Sequence, residues 1–246
     1  MALALFSYDM RIKRNIALIG TVALVLIFMA GRLSAQQLKP EQKDAPQQEE
    51  HTIKKVLFLG DSMTGWLAER MNEYGKLNDF EVATVVWDGS TINKWGTTQK
   101  LKQIINREKP DAIFVSLGMN ELFERNPETR LGKSVDNILS AFGDIPYVWI
   151  GPPTWPGKKG GSTLNKWLAE KVGTENYYNS TSLSLPRQSK VNPHPTREGM
   201  VKWMDNVVDW LPESGDSLHF KSLDRPAGNK MSRGKTYIYK KMKEAL

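Results

Sequence analysis

Four positions in this chain have residue types that acyl chemistry could use: Ser62, Gly89, Asn120 and His194. Ser62 follows Val56-Leu57-Phe58-Leu59, a short apolar run of the kind a buried parallel strand needs, which Gly60 breaks. It precedes Trp66-Leu67-Ala68-Glu69-Arg70-Met71, which reads as helix. A serine at a strand-to-helix turn sits at the carboxyl edge of an open α/β sheet, where such folds place their chemistry. The helix amino terminus beside it favours developing negative charge. The glycines of a phosphate loop, or of a Gly-x-Ser-x-Gly elbow, are missing here. An acyl-transfer site needs a nucleophile, a base and oxyanion donors. A hydroxyl, an imidazole, a glycine amide and an asparagine amide are those types. Each residue also has a purely structural use. Ser62 could cap a helix, Gly89 could supply positive φ in a turn, Asn120 could close its own loop, and His194 could be a hydrogen-bonded buried histidine. His51 and His219 lie outside the stretch that reads as a domain, so His194 is its one candidate base.

Positioning these residues requires a sheet. Strand-like runs occur at 56–59, 80–87, 112–117, 147–150 and 176–178. Helical spacing falls between them, with Leu101, Ile104 and Ile105, then Val135, Ile138, Leu139 and Phe142, then Leu164, Trp167, Leu168 and Val172. A last helix is expected over Thr196 to Leu211, with Met200, Val201, Met204, Val207 and Val208 as apolar positions. Alternating strands and helices predict a parallel sheet of about five strands with helices on both faces, a single α/β domain over residues 54–211. In that topology Ser62 follows strand one, Gly89 strand two and Asn120 strand three, while His194 precedes the last helix. All four converge on one edge.

The block Gly60-Asp61-Ser62, with Gly89, Asn120 and His194 in that order and spacing, resembles the SGNH (GDSL-like) serine hydrolases of exported bacterial type. Lys109-Pro110-Asp111 and His194-Pro195-Thr196 are also typical of that family. The resemblance implies a flavodoxin-like fold. It implies that Ser62 attacks an ester carbonyl with His194 as general base. The Ser62 and Gly89 amides and the Asn120 side chain would form the oxyanion hole. It implies an acylated carbohydrate substrate, an O-acetyl ester of a cell-envelope glycan, with water or a sugar hydroxyl as acceptor and a membrane-bound O-acyltransferase as a partner. No cofactor and no metal are expected. Two departures stand out. Glu121 follows Asn120 where the family has Asp, and Val191 occupies the acid position of the usual Asp-x-x-His block, flanked by Lys190 and Asn192. Without that acid, a backbone carbonyl near Val191 or Asn192 is expected to hold the imidazole, with Pro193 and Pro195 restricting the backbone on either side. Trp155 in the glycine- and proline-rich loop 151–161, and also Trp95, are candidates for stacking on a sugar ring. The competing class is a non-catalytic glycan-binding or assembly protein on the same fold.

The flanks carry the remaining signals. Arg11, Lys13 and Arg14 precede an uncharged apolar run from Ile16 to Gly31. Residues 1–32 therefore read as a signal anchor or a cleaved signal peptide. The anchor is favoured because Leu33-Ser34-Ala35 has a large residue where cleavage prefers a small one. Either reading exports the domain: anchored in the inner membrane and facing the periplasm or the exterior, or secreted if cleaved. Residues 33–53 lack aromatics and read as a disordered tether. The net charge is +7 and cysteine is absent, so disulfides and thiol chemistry are excluded. The basic excess falls on the membrane flank and on residues 212–246, read as a basic accessory tail. Within 54–211 the two signs are interspersed, so nucleic acid is not an expected partner.

Overall fold

The computed structural model describes residues 53–155, 157, 161–189, 191–192, 194–214 and 222–241. The apolar run 16–31, most of the tether, Pro193 and His219 lie outside the described residues. Among the described residues no helix is long and apolar enough to cross a membrane.

The chain runs β1 (Lys55–Gly60), α1 (Thr64–Asn78), β2 (Glu81–Trp87), α2 (Ile92–Thr97), α3 (Lys100–Glu108), β3 (Ala112–Ser116), α4 (Pro127–Phe142), β4 (Tyr147–Ile150), α5 (Ser162–Val172), β5 (Tyr177–Tyr178), α6 (Arg197–Trp210) and β6 (Lys235–Tyr239). The sheet order is β5-β4-β3-β1-β2-β6, with every pair parallel. The chain leaves β1 toward β2 and returns past it to β3. The order therefore reverses between β1 and β3, which opens a crevice at their carboxyl ends.

Alternation along the central strands builds the two layers. Val56 and Phe58 of β1, with Ala112 and Phe114 of β3, join one core with α1 and α6. Leu57 and Leu59, with Ile113 and Val115, join the opposite core with α2, α3, α4 and α5. Successive strand residues point to opposite faces, so a run apolar at every position must be covered on both sides. Each such Leu, Val or Phe contributes about 1.5–3 kcal/mol by leaving water. The Phe58 and Phe114 rings meet with centroids 5.6 Å apart across the register pair of β1 and β3.

The sequence expectation of about five strands ending at residue 211 needs correction. The region read as an accessory tail supplies a sixth strand, β6, paired with β2 from Ala83↔Lys235 to Trp87↔Tyr239. Its approach is held by Arg70 on α1, whose side chain is 1% exposed. Nε and Nη2 donate to the two Asp205 carboxylate oxygens at 2.7 and 3.1 Å. Nη1 donates to the carbonyls of Gly228 and Lys230, and Nη2 also to that of Pro226, all at 3.0 Å. All five guanidinium donors are thus used. The Tyr74 hydroxyl donates to Asp205 Oδ1 at 2.9 Å. Nearer the strand, Lys235, Arg107 and Lys55 surround Glu108, whose side chain is fully buried. Burial alone would raise that carboxyl; the three cations instead hold it down at about 2.

Removing Arg70 leaves Asp205 buried and three carbonyls unpaired. We expect Arg70→Ala to lower unfolding stability by about 3–5 kcal/mol, read from the denaturant midpoint. Hydrogen exchange at β6 should rise in parallel. A loss under 1 kcal/mol would show that the guanidinium is not a structural tie.

Candidate active site

The turn that carries Ser62 is built by a close approach of two backbones. Gly60 ends β1 opposite Ser116, and the Asp61 N–H donates to the Ser116 carbonyl at 3.1 Å. A Cβ on Gly60 would lie 2.0 Å from that oxygen, so only glycine fits. Asp61 turns inward, 1% exposed, and its Oδ1 accepts the Met63 N–H at 2.9 Å. Burial pushes its carboxyl up to about 7, against the Met63 and Met119 amides that favour the charged form. The turn thereby presents Ser62 at the start of α1.

His194 reaches Ser62 from the other side. Its Nε2 lies 2.9 Å from Ser62 Oγ. Its Nδ1 lies 2.7 Å from Asn192 Oδ1, which also accepts the His194 backbone N–H at 3.0 Å. Asn192 Nδ2 donates to Gln188 Oε1 at 2.9 Å, which assigns the amide oxygen to the histidine side. An oxygen facing Nδ1 selects the Nδ1–H tautomer. Nε2 is then the acceptor and the Ser62 hydroxyl the donor. The expected backbone carbonyl is therefore replaced by the Asn192 side chain. No carboxylate hydrogen-bonds the imidazole among the described residues. Val191 is 85% exposed and takes no part. The sequence points to Asn192 as a position lacking a carboxylate and as a neighbour of the expected backbone carbonyl, not to its side chain. Its place two residues before the histidine, where an Asx turn closes on the i+2 N–H, is the signal that could have found it. Gln188 has no such local signal. Its N–H binds the His194 carbonyl at 3.0 Å, across the short Arg187–Pro195 bridge.

The other two candidates lie on neighbouring loops. Gly89 follows β2 with φ +62°, and a Cβ there would meet nothing within 4 Å. Asn120 sits in a 3₁₀ turn after β3, behind Gly118. Its Nδ2 donates to the Ser90 carbonyl at 2.6 Å, which joins the Asn120 loop to the Gly89–Ser90 turn. One amide hydrogen is used there and the second remains. Among the described residues neither the Ser62 nor the Gly89 backbone N–H is bonded within the protein. Glu121 accepts the Ile92 N–H at 2.7 Å, tying the same loop to the start of α2. Burial pushes its carboxyl up to about 7. Trp155 is half-buried, with its ring centroid 6.4 Å from that of Phe123, which is exposed. Trp95 must be withdrawn as a stacking platform. It is fully buried, its Nε1 donates to Ser90 Oγ at 2.8 Å, and Trp87 packs edge-on against it. Among the described residues no cluster of His, Cys, Asp and Glu has the arrangement to hold a metal ion.

Burial lowers the basicity of His194, opposed by the nearby charge of Asp88 and assisted by that of Arg187. The imidazole should be neutral at neutral pH. We expect any activity that depends on it to lose its acidic limb only below 6.5, the ordinary histidine value. Asp88→Asn, which removes the charge favouring imidazolium, should move that limb to lower pH. A rate–pH profile checks both, and a limb that rises in the variant would contradict the assignment.

No family model matches the chain, and no curated protein matches it in sequence. Solved structures do match. A family 3 carbohydrate esterase from Clostridium thermocellum has 15% identity and a TM-score of 0.50, over 66% of this chain and 99% of its own. A protein from Desulfitobacterium hafniense described as lipolytic and of the G-D-S-L family has 16% identity and a TM-score of 0.48, over 63% and 99%. BT4096, a gut microbial diltiazem-metabolizing enzyme, has 13% identity and a TM-score of 0.47, over 66% of this chain and 48% of its own length. At these identities the likeness concerns the fold. The chain shares its α/β fold with the family 3 carbohydrate esterase, and its own sheet has six strands, with β6 beside β2.

Proposed function

We propose that this protein is a serine esterase or acyltransferase acting on O-acyl, principally O-acetyl, esters of a cell-envelope glycan. The observation that carries the reading is the Ser62 Oγ to His194 Nε2 contact of 2.9 Å, with Nδ1 occupied by Asn192. That is a nucleophile within proton-transfer distance of a base whose tautomer is set by a third group. As Oγ bonds to the ester carbonyl carbon, its proton passes to Nε2. The carbonyl oxygen becomes an oxyanion, facing the Ser62 and Gly89 amides and the second Asn120 hydrogen. The tetrahedral intermediate expels the sugar alkoxide, which takes the proton from Nε2. Water, or a second sugar hydroxyl, then attacks the acyl-serine by the reverse proton path. Asn192 supplies a dipole where triads have a charge. It orients the ring but stabilises the imidazolium less than a carboxylate would.

The glycan assignment draws on the fold shared with a carbohydrate esterase and on the half-buried Trp155 beside exposed Phe123 at the same edge. Export, by anchor or by cleaved signal, rests on the basic flank and apolar run before residue 32. A membrane-bound O-acyltransferase would be a fitting donor if the acceptor is a sugar.

A fluorophosphonate probe separates an enzyme from a glycan-binding protein on the same fold. Labelling of Ser62 is expected, and it should vanish in Ser62→Ala and His194→Ala. A folded chain that takes no label would leave the binding reading. Asn192→Ala should lower kcat by about tenfold or more, as the tautomer is released. Asn192→Asp should raise kcat together with the pKa of the acidic limb. Asn120→Ala should lower kcat by about 10²–10³ with little change in KM; an unchanged kcat in a folded variant would remove Asn120 from the oxyanion hole.

A further inference from the structure

The edge that carries Gly89 also borders an open groove of about 580 Å³, with Trp87, Lys94, Lys100, Lys240 and Lys241 in its wall. We propose that this groove binds a carboxylated glycan chain, so that the esters presented to Ser62 belong to an acidic polysaccharide. The inference deepens the function proposed above and rests on it for the role of Ser62.

Two contacts place the groove beside the Gly89 turn. Lys94 Nζ donates to the Gly89 carbonyl at 2.9 Å. The Asp88 N–H donates to the Tyr239 carbonyl at 2.9 Å, which fixes Lys240 and Lys241 immediately beyond β6 beside the Gly89 turn. A chain lying along the lysines therefore passes the residue placed at the oxyanion.

The chemistry of the wall selects the ligand. Among the described residues none of Lys94, Lys100, Lys240 and Lys241 is paired with a carboxylate, whereas the buried Glu108 nearby gathers three cations for itself. Four ammonium groups around one concavity raise the local concentration of an anionic ligand. Trp87 is half-buried, with Lys94 Nζ 5.8 Å from its ring centroid. It offers an apolar face of the width of a sugar ring beside charges that suit ring carboxylates. A flat aromatic with flanking lysines fits repeated uronate units better than a neutral glycan, which would leave the ammonium groups unused. A nucleic acid would need a longer basic track than the interspersed charges of the remaining surface provide.

The test uses the full-length chain in detergent, titrated calorimetrically with polygalacturonate, neutral dextran and inorganic polyphosphate. Binding to polygalacturonate that weakens with salt, with none to dextran, is expected. The charge-reversed chain Lys100→Glu, Lys240→Glu, Lys241→Glu should bind about tenfold more weakly or worse, and the charge-keeping pair Lys240→Arg, Lys241→Arg should bind as the parent does. Equal affinity for polyphosphate, or no effect of charge reversal, would overturn the proposal. In parallel, the ratio of kcat/KM for acetylated polygalacturonate to that for an aryl acetate should fall about tenfold on charge reversal. If the parent hydrolyses neither ester yet binds polygalacturonate through these lysines, the esterase reading fails and the groove stands. If it hydrolyses both with no charge effect, the groove fails and the esterase reading stands.

Discussion

The buried Arg70–Asp205 pair is the interaction on which the rest of this structure depends. Arg70 lies on α1, the helix that begins just after Ser62, and Asp205 lies on α6, which begins just after His194. One salt bridge therefore couples the helices that carry the two halves of the candidate site. A guanidinium removed from water is costly unless every donor is met, and here all five are. Three of the acceptors are carbonyls of residues 226–230. Holding that segment in place is what lets the chain return as β6 beside β2.

That return reaches the site. β6 ends at Tyr239, whose carbonyl accepts the amide of Asp88, one residue before Gly89. The turn after β2 is thus held from three sides: by β6, by Asn120 through the Ser90 carbonyl, and by Glu121 through the Ile92 amide. Oxyanion donors act because they are oriented before the charge appears. Several hydrogen bonds from separate elements are a physical means to that rigidity, so β6 has a part in the geometry of the edge.

The imidazole is held more lightly. Its partner is a neutral amide two residues away, itself oriented by Gln188. Burial lowers the basicity of the imidazole against the charge of Asp88, and among the described residues no carboxylate hydrogen-bonds the ring, which suits a base but gives less help once the proton has arrived. Asp61, buried, and Glu121, half-buried, both raised to about 7, lie on the loops that frame this edge rather than on the imidazole.

Sequence alone determined the layered α/β architecture, the turn that presents Ser62, and the four residue types on one edge. Those signals are local: fully apolar strands such as Val56 to Leu59, helical spacing such as Leu101, Ile104 and Ile105, and glycines at strand ends. Tertiary structure alone decided the rest. Lys235 to Tyr239 is a short mixed run whose pairing with β2, more than 140 residues earlier, has no local signature. Trp95 reads equally well as a binding platform or as core, and only packing against Trp87 and Ser90 buries it. Asn192 as the imidazole's partner depends on the rotamer that Gln188 enforces, and Arg70 looks like any helix-surface arginine until Asp205 and the 226–230 carbonyls close around it. In each case the deciding contact is between residues or atoms whose relation is set by the folded backbone, not by their spacing along the chain.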